Sequence, residues 1–125
     1  MSYDFDWNAP GVNKFSGAAT VSINRSGLYL NSNAFTMLAD SNPLMIGIDR
    51  RRFVIGIKAY DGNAHAQARA AKRSKGGGVF MGCRAISRQV EELTGRDHSR
   101  AVLYEASFDA DSKTLIVNFG GVTHE

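Results

Sequence analysis

GLYLNSNAFT at residues 27–36 and GVFMGCRAIS at residues 78–87 match class by class. Gly27 falls on Gly78, Leu28 on Val79, Tyr29 on Phe80 and Leu30 on Met81; further along, Ala34 falls on Ala85 and Phe35 on Ile86. Each stretch reads as a short strand running into a helix. Two apolar runs around an acidic corner then follow in each case, at Asp49 and at Asp109. The repetition predicts an α+β fold of two similar strand–helix–hairpin halves, residues 18–59 and 77–120, forming one small sheet or barrel-like domain. A half of ~45 residues buries too little surface to fold alone, so the two must share a core.

Working outward, Thr20, Val21, Ser22 and Ile23 alternate as a strand does, and Arg25, Ser26 and Gly27 form a turn into the next one. Asn31 or Ser32 caps a helix over 33–39, since a short side-chain oxygen accepts from an orphan amide. Residues 44–48 and 53–57 flank Asp49, Arg50, Arg51 and Arg52 in the clearest hairpin signal, although the turn lacks an Asn-Gly pair. In the second half, 79–81 leads into a helix over 83–93. Its Ile86, Val90 and Leu93 share one face, and Gly95 stops it. Residues 101–108 and 113–119 make the second hairpin. Residues 1–17, with Tyr3, Phe5, Trp7 and Phe15, read as an aromatic arm that packs on its own domain or on a neighbouring subunit. Residues 60–76 read as a flexible basic linker with no apolar stripe, and the run Gly76, Gly77 and Gly78 supports flexibility where it meets the second half.

The composition suits a folded protein: of 125 residues, 43% are hydrophobic and 22% charged, which argues against a disordered or collagenous chain. No apolar run approaches the ~20 residues that cross a bilayer, and residues 1–17 hold no secretory apolar core. The one cysteine, Cys83, has no internal partner, which fits a reducing, cytoplasmic setting.

Charge placement carries the functional signal. The chain is +3 overall, yet residues 50–88 alone carry ten basic residues and one acidic residue, a net +9. Those ten are Arg50, Arg51, Arg52, Lys58, Arg69, Lys72, Arg73, Lys75, Arg84 and Arg88. A positive potential concentrated in this way attracts phosphates, and arginine forks onto phosphates or guanine edges. No helix-turn-helix, zinc-finger or aromatic RNA-binding signature specifies how. Gly76, Gly77 and Gly78 fail as a phosphate loop because the lysine precedes them. His65, His98 and His124 are too scattered for a metal motif, and Cys83 has no recognisable base. Glu91 and Glu92 point about 100° apart on a helix and make a poor acid–base pair. No catalytic constellation emerges, and neither cofactor nor metal is implied.

Residues 21–58, VSINRSGLYLNSNAFTMLADSNPLMIGIDRRRFVIGIK, run strand, Gly27, strand, short helix, polar–Pro turn and hairpin. This order resembles the swapped-hairpin transcription factors of the AbrB/SpoVT type. That family usually enters its helix through a proline, where Asn31 stands here. The resemblance implies an intertwined barrel, a dimer and DNA contact through basic residues. The expectation is therefore a small, non-enzymatic, basic protein that binds nucleic acid, DNA over RNA, in a regulatory role and as a homo-oligomer. The alternative is an oligomeric interaction or assembly protein.

Overall fold

The computed structural model of the protein describes residues 19–62, 66–74 and 76–120. The arm read at residues 1–17 lies outside the described residues, as does Lys75. Strand β1 (Ala19–Asn24) turns its alternate residues Ala19, Val21 and Ile23 into the core. At its end the Asn24 side-chain oxygen accepts the amides of Ser26 at 2.8 Å and Gly27 at 3.0 Å. A short polar side chain thus builds the turn into β2 (Gly27–Leu30). Asn31 caps α1 (Ser32–Met37), its Oδ1 accepting from the Ala34 amide at 2.9 Å and the Thr20 amide at 3.2 Å. The same oxygen therefore ties the helix start to β1. Strands β3 (Leu44–Asp49) and β4 (Val54–Ala59) form the first hairpin. They are followed by β5 (Lys72–Arg73), β6 (Val79–Gly82), α2 (Arg84–Thr94), β7 (Val102–Asp109) and β8 (Thr114–Asn118).

The eight strands make one antiparallel sheet in the order β3-β4-β8-β7-β1-β2-β6-β5. Its edges are joined. Leu44 donates its amide to the Arg69 carbonyl at 2.9 Å, and Arg69 returns the bond at 2.8 Å. The Asn42 side chain pairs with both backbone groups of Ala71, each at 3.0 Å. Residues 69–73 are thus extended and bonded on both sides, where their composition reads as a flexible link. Main-chain pairing needs no apolar side-chain pattern, so hydrophobic periodicity carries no trace of it. The curled sheet wraps a core that includes Val21, Leu28, Leu30, Ile55, Met81 and Val117, with Phe35 and Val90 supplied by the two helices.

Both hairpin corners manage without Asn-Gly by the same device. Asp49 Oδ1 accepts the amides of Arg51 and Arg52 at 3.1 Å, and Asp109 Oδ1 accepts that of Asp111 at 3.2 Å. The last turn residues, Phe53 and Lys113, take φ of 59° and 54°. Left-handed backbone is costly for a phenylalanine. It is held there by a stack of its ring on Phe119, with centroids 5.6 Å apart, and by the Phe119 amide donating to its carbonyl.

A Cβ on Gly27 would lie 2.0 Å from the Met81 carbonyl oxygen, so β2 and β6 approach as they do only with glycine there. Gly27→Ala is expected to lower stability by about 2–3 kcal/mol. By contrast, Ser87 Oγ is buried without a partner, and Ser87→Ala should leave stability unchanged or slightly raised. Urea unfolding of the two variants beside the parent protein checks both.

Candidate functional site

Helix α2 carries Ile86, Ser87 and Val90 inward and exposes Arg84 and Arg88, one turn apart, on its outer face. Gly95 ends it with φ of 67° and donates to the Glu91 carbonyl at 2.8 Å. At its start Cys83 donates its amide to the Ser26 carbonyl at 3.0 Å, which seats the β1–β2 turn against the helix. Arg25 at the tip of that turn then reaches along α2. Its Nε donates to Glu91 Oε2 at 3.0 Å and its Nη2 to Asp97 Oδ1 at 3.1 Å. Between turn and helix lies an open pocket of about 380 Å³ lined by Arg25, Ser26, Arg84, Arg88 and Glu91.

Two more guanidinium groups reach the helix or the strand end that leads into it. Arg50, at the β3–β4 corner, donates its Nε to Gln89 Oε1 at 2.6 Å, and Arg69 donates its Nη1 to the Gly82 carbonyl at 3.0 Å. Five arginines from four parts of the chain therefore lie on α2 or are bonded to it or to the residues that flank it. Four of them, Arg50, Arg69, Arg84 and Arg88, are among the ten residues singled out by charge. Arg25 is the one that sequence reasoning missed, because it lies outside the basic stretch and is brought in only by the Ser26–Cys83 contact. The Asn24–Gly27 turn was its available signal, since a tight turn must project its central side chain.

The other predicted residues are distributed differently. Arg51 and Arg52 share the corner with Arg50, and Arg52 pairs with Asp49 at 3.2 Å. Lys58 sits at the opposite end of that hairpin, 3.4 Å from Asp61. Arg73 belongs to the neighbourhood of α1, 3.9 Å from Asp40 with its guanidinium 5.4 Å from the centre of the Phe35 ring. Lys72 is exposed beside it on β5. Among the described residues Arg51, Lys72, Arg84 and Arg88 make no ion pair.

The groups around the cluster are locked rather than reactive. The His98 amide at 2.6 Å and then the Arg25 guanidinium hold the Glu91 carboxyl below its ordinary range. The Ser99 amide and hydroxyl do the same for Asp97, helped by Arg25. His98 is fully buried between the Arg96 carbonyl, 2.8 Å from Nδ1, and the Tyr104 hydroxyl, 2.9 Å from Nε2. A carbonyl only accepts, so the hydrogen-bond network assigns a proton to Nδ1. Burial pushes the Cys83 thiol up to about 11 against the opposing charge of Arg69, so it stays protonated at neutral pH. The nearby arginines do not make it a thiolate nucleophile. Among the described residues no three His, Cys, Asp or Glu side chains are grouped to hold a metal ion. His65 and His124 lie outside the described residues. No helix there is long and apolar enough to cross a membrane.

No protein-family model matches the chain, and no curated protein or solved structure shows significant similarity to it.

Because the carboxyls of Glu91, Asp97 and Asp49 are depressed in the fold, each contributes stability above the ordinary carboxylate range. That contribution is lost as pH falls below about 4 and through the folded-state values. The melting midpoint should therefore drop with acidification below about pH 4. Glu91→Gln should melt lower at neutral pH and show a shallower acid dependence, both read from thermal melts across the range.

Proposed function

We propose that this protein binds nucleic acid through the arginine cluster around α2, with the Arg50–Arg52 corner as its second contact. The observation that carries the reading is the gathering of Arg25, Arg84 and Arg88 around one pocket on α2, with Arg50 bonded to the same helix and Arg69 to the strand end that leads into it. Three of the other basic groups are answered by a neighbouring acid: Arg52 by Asp49, Lys58 by Asp61 and Arg73 by Asp40. Arg84 and Arg88 are not, and a helix of guanidinium groups held by turns from elsewhere suits a regular row of phosphates. The protein acts by binding rather than catalysis, in a regulatory role on DNA, and as a homo-oligomer in the cytoplasm.

The two-halves architecture belongs to this proposal. Each corner aspartate stands opposite the residue five positions on, Asp49 facing Val54 and Asp109 facing Thr114. Tyr29 and Phe80, superimposed by the sequence repeat, lie directly opposite each other across β2 and β6. Superimposing the corners places Gly56 on Ile116, and these two also face each other, across β4 and β8. A twofold axis relating the two halves would set equivalent residues opposite each other in this way, and these registers support the reading. The order β1, β2, α1, β3, β4 over residues 21–58 supports the resemblance to swapped-hairpin transcription factors.

Fluorescence anisotropy with duplex DNA, single-stranded DNA and RNA tests the proposal. With four or five phosphate contacts, affinity should fall about 10²–10³-fold between about 50 and 200 mM salt. Arg84→Ala/Arg88→Ala should weaken binding to all sequences and reduce the salt slope by about 2, and the Arg50/Arg51/Arg52 triple alanine variant should also weaken it. Absence of binding to all three at the lower salt rejects the proposal and leaves the assembly role in its place.

A further inference from the structure

The pocket between the β1–β2 turn and α2 is concave, and a run of diester phosphates does not require a concavity. We infer that it is a binding site for a phosphate monoester in its dianionic form. This inference rests on the reading of the arginine cluster as a surface that contacts phosphate.

The lining decides the ligand class. Arg25, Ser26, Arg84, Arg88 and Glu91 offer three guanidinium groups, one hydroxyl and one carboxylate, with no aliphatic or aromatic wall. The volume of about 380 Å³ lies at the small end of ligand sites, enough for a phosphate with a sugar or similar group attached.

Charge then selects within the phosphates. Glu91 is already committed, accepting from Arg25 at 3.0 Å and from the His98 amide at 2.6 Å. Arg25 is committed in turn to Glu91 and Asp97. What remains is Arg84 and Arg88, two positive charges with no acid partner among the described residues. A diester carries one negative charge and leaves one of them unanswered. A monoester carries close to two at neutral pH and answers both.

Geometry agrees. Residues four apart on a helix hold their Cβ atoms about 5–6 Å apart, close enough for both forks to close on the oxygens of one phosphate. Ser26 lines the pocket as well, on a turn fixed by the Cys83 amide and by Asn24. Two sources can supply such a group: the 5′-phosphorylated end of a nucleic-acid strand, or a free phosphorylated small molecule.

The full-length chain is titrated with two 3′-labelled strands of one sequence, one ending in 5′-phosphate and one in 5′-hydroxyl. Adenosine 5′-monophosphate and adenosine are titrated separately by calorimetry. At pH 7.5 the phosphorylated strand should bind about tenfold more tightly than its hydroxyl twin. The preference should shrink near pH 5.5, where a monoester loses its second charge. It should vanish in Arg84→Ala and Arg88→Ala, both on an exposed helix face, and survive in Arg100→Ala, an exposed residue outside the pocket. The phosphorylated strand preferred without binding of the free monophosphate identifies a strand end as the source. The free monophosphate bound in an Arg84- and Arg88-dependent way, with neither strand bound, supports the pocket and rejects nucleic acid as the partner. Equal binding of the two strands with no response to the free monophosphate overturns the pocket while the nucleic-acid reading stands. A preference unmoved by the two arginine variants also overturns it, and no binding of any probe overturns both.

Discussion

The contact between the β1–β2 turn and the start of α2 is the constraint from which the rest of the surface follows. Gly27 faces Gly82 across the β2–β6 pair, and the Met81 carbonyl occupies the space where a Gly27 side chain would be. That close approach lets the Ser26 carbonyl take the Cys83 amide, one of the orphan donors at the helix start. Two things are settled together: the axis of α2 is fixed against the sheet, and Arg25 is carried to within reach of Glu91. A bulkier residue at position 27 would push the turn away, and the pocket would lose a wall along with its register.

The two helices contrast at their starts, and the contrast locates the charge. Asn31 caps α1 with its own side chain, and the nearby Arg73 is taken up by Asp40 and by the face of Phe35. At the matching place before α2 stands Gly82, with no side chain, and Cys83 provides no side-chain cap. The first turns of α2 contain no acidic residue and two arginines, an arrangement that works against the helix dipole. Guanidinium groups placed where they destabilise the helix are the feature on which the proposed contact with phosphate rests. The exposed pairs elsewhere, Arg52 with Asp49 and Lys58 with Asp61, add little to stability but remove those charges from competition.

Closure of the sheet also shapes the cluster. Leu44 and Asn42 hold residues 69–71 by main-chain and side-chain bonds, and this places the Arg69 guanidinium on the Gly82 carbonyl. The β3–β4 corner brings Arg50 onto Gln89 from another side. No single element contains the cluster. It exists because strands far apart in the chain are neighbours in one curled sheet.

The sequence alone determined the elements, because each was written in local chemistry. Alternation at Val21 and Ile23, the Asn31 cap, the apolar face of Ile86 and Val90, the Gly95 stop and the Asp49 and Asp109 corners all act within a few residues of themselves. The concentration of arginines between positions 50 and 88 was equally plain, since charge can be counted without knowing the fold. The tertiary structure decided which of them lie together. Strand order, the pairing of 69–73 and the arrival of Arg25 rest on main-chain hydrogen bonds between distant segments. Every residue carries the same amide and carbonyl, so those bonds leave no mark in the order of side chains. Lys58 and Arg73 stood in the same charge run as Arg84 and Arg88 and ended beside carboxylates of other segments. Neutralisation in space, which a linear count does not register, separated them.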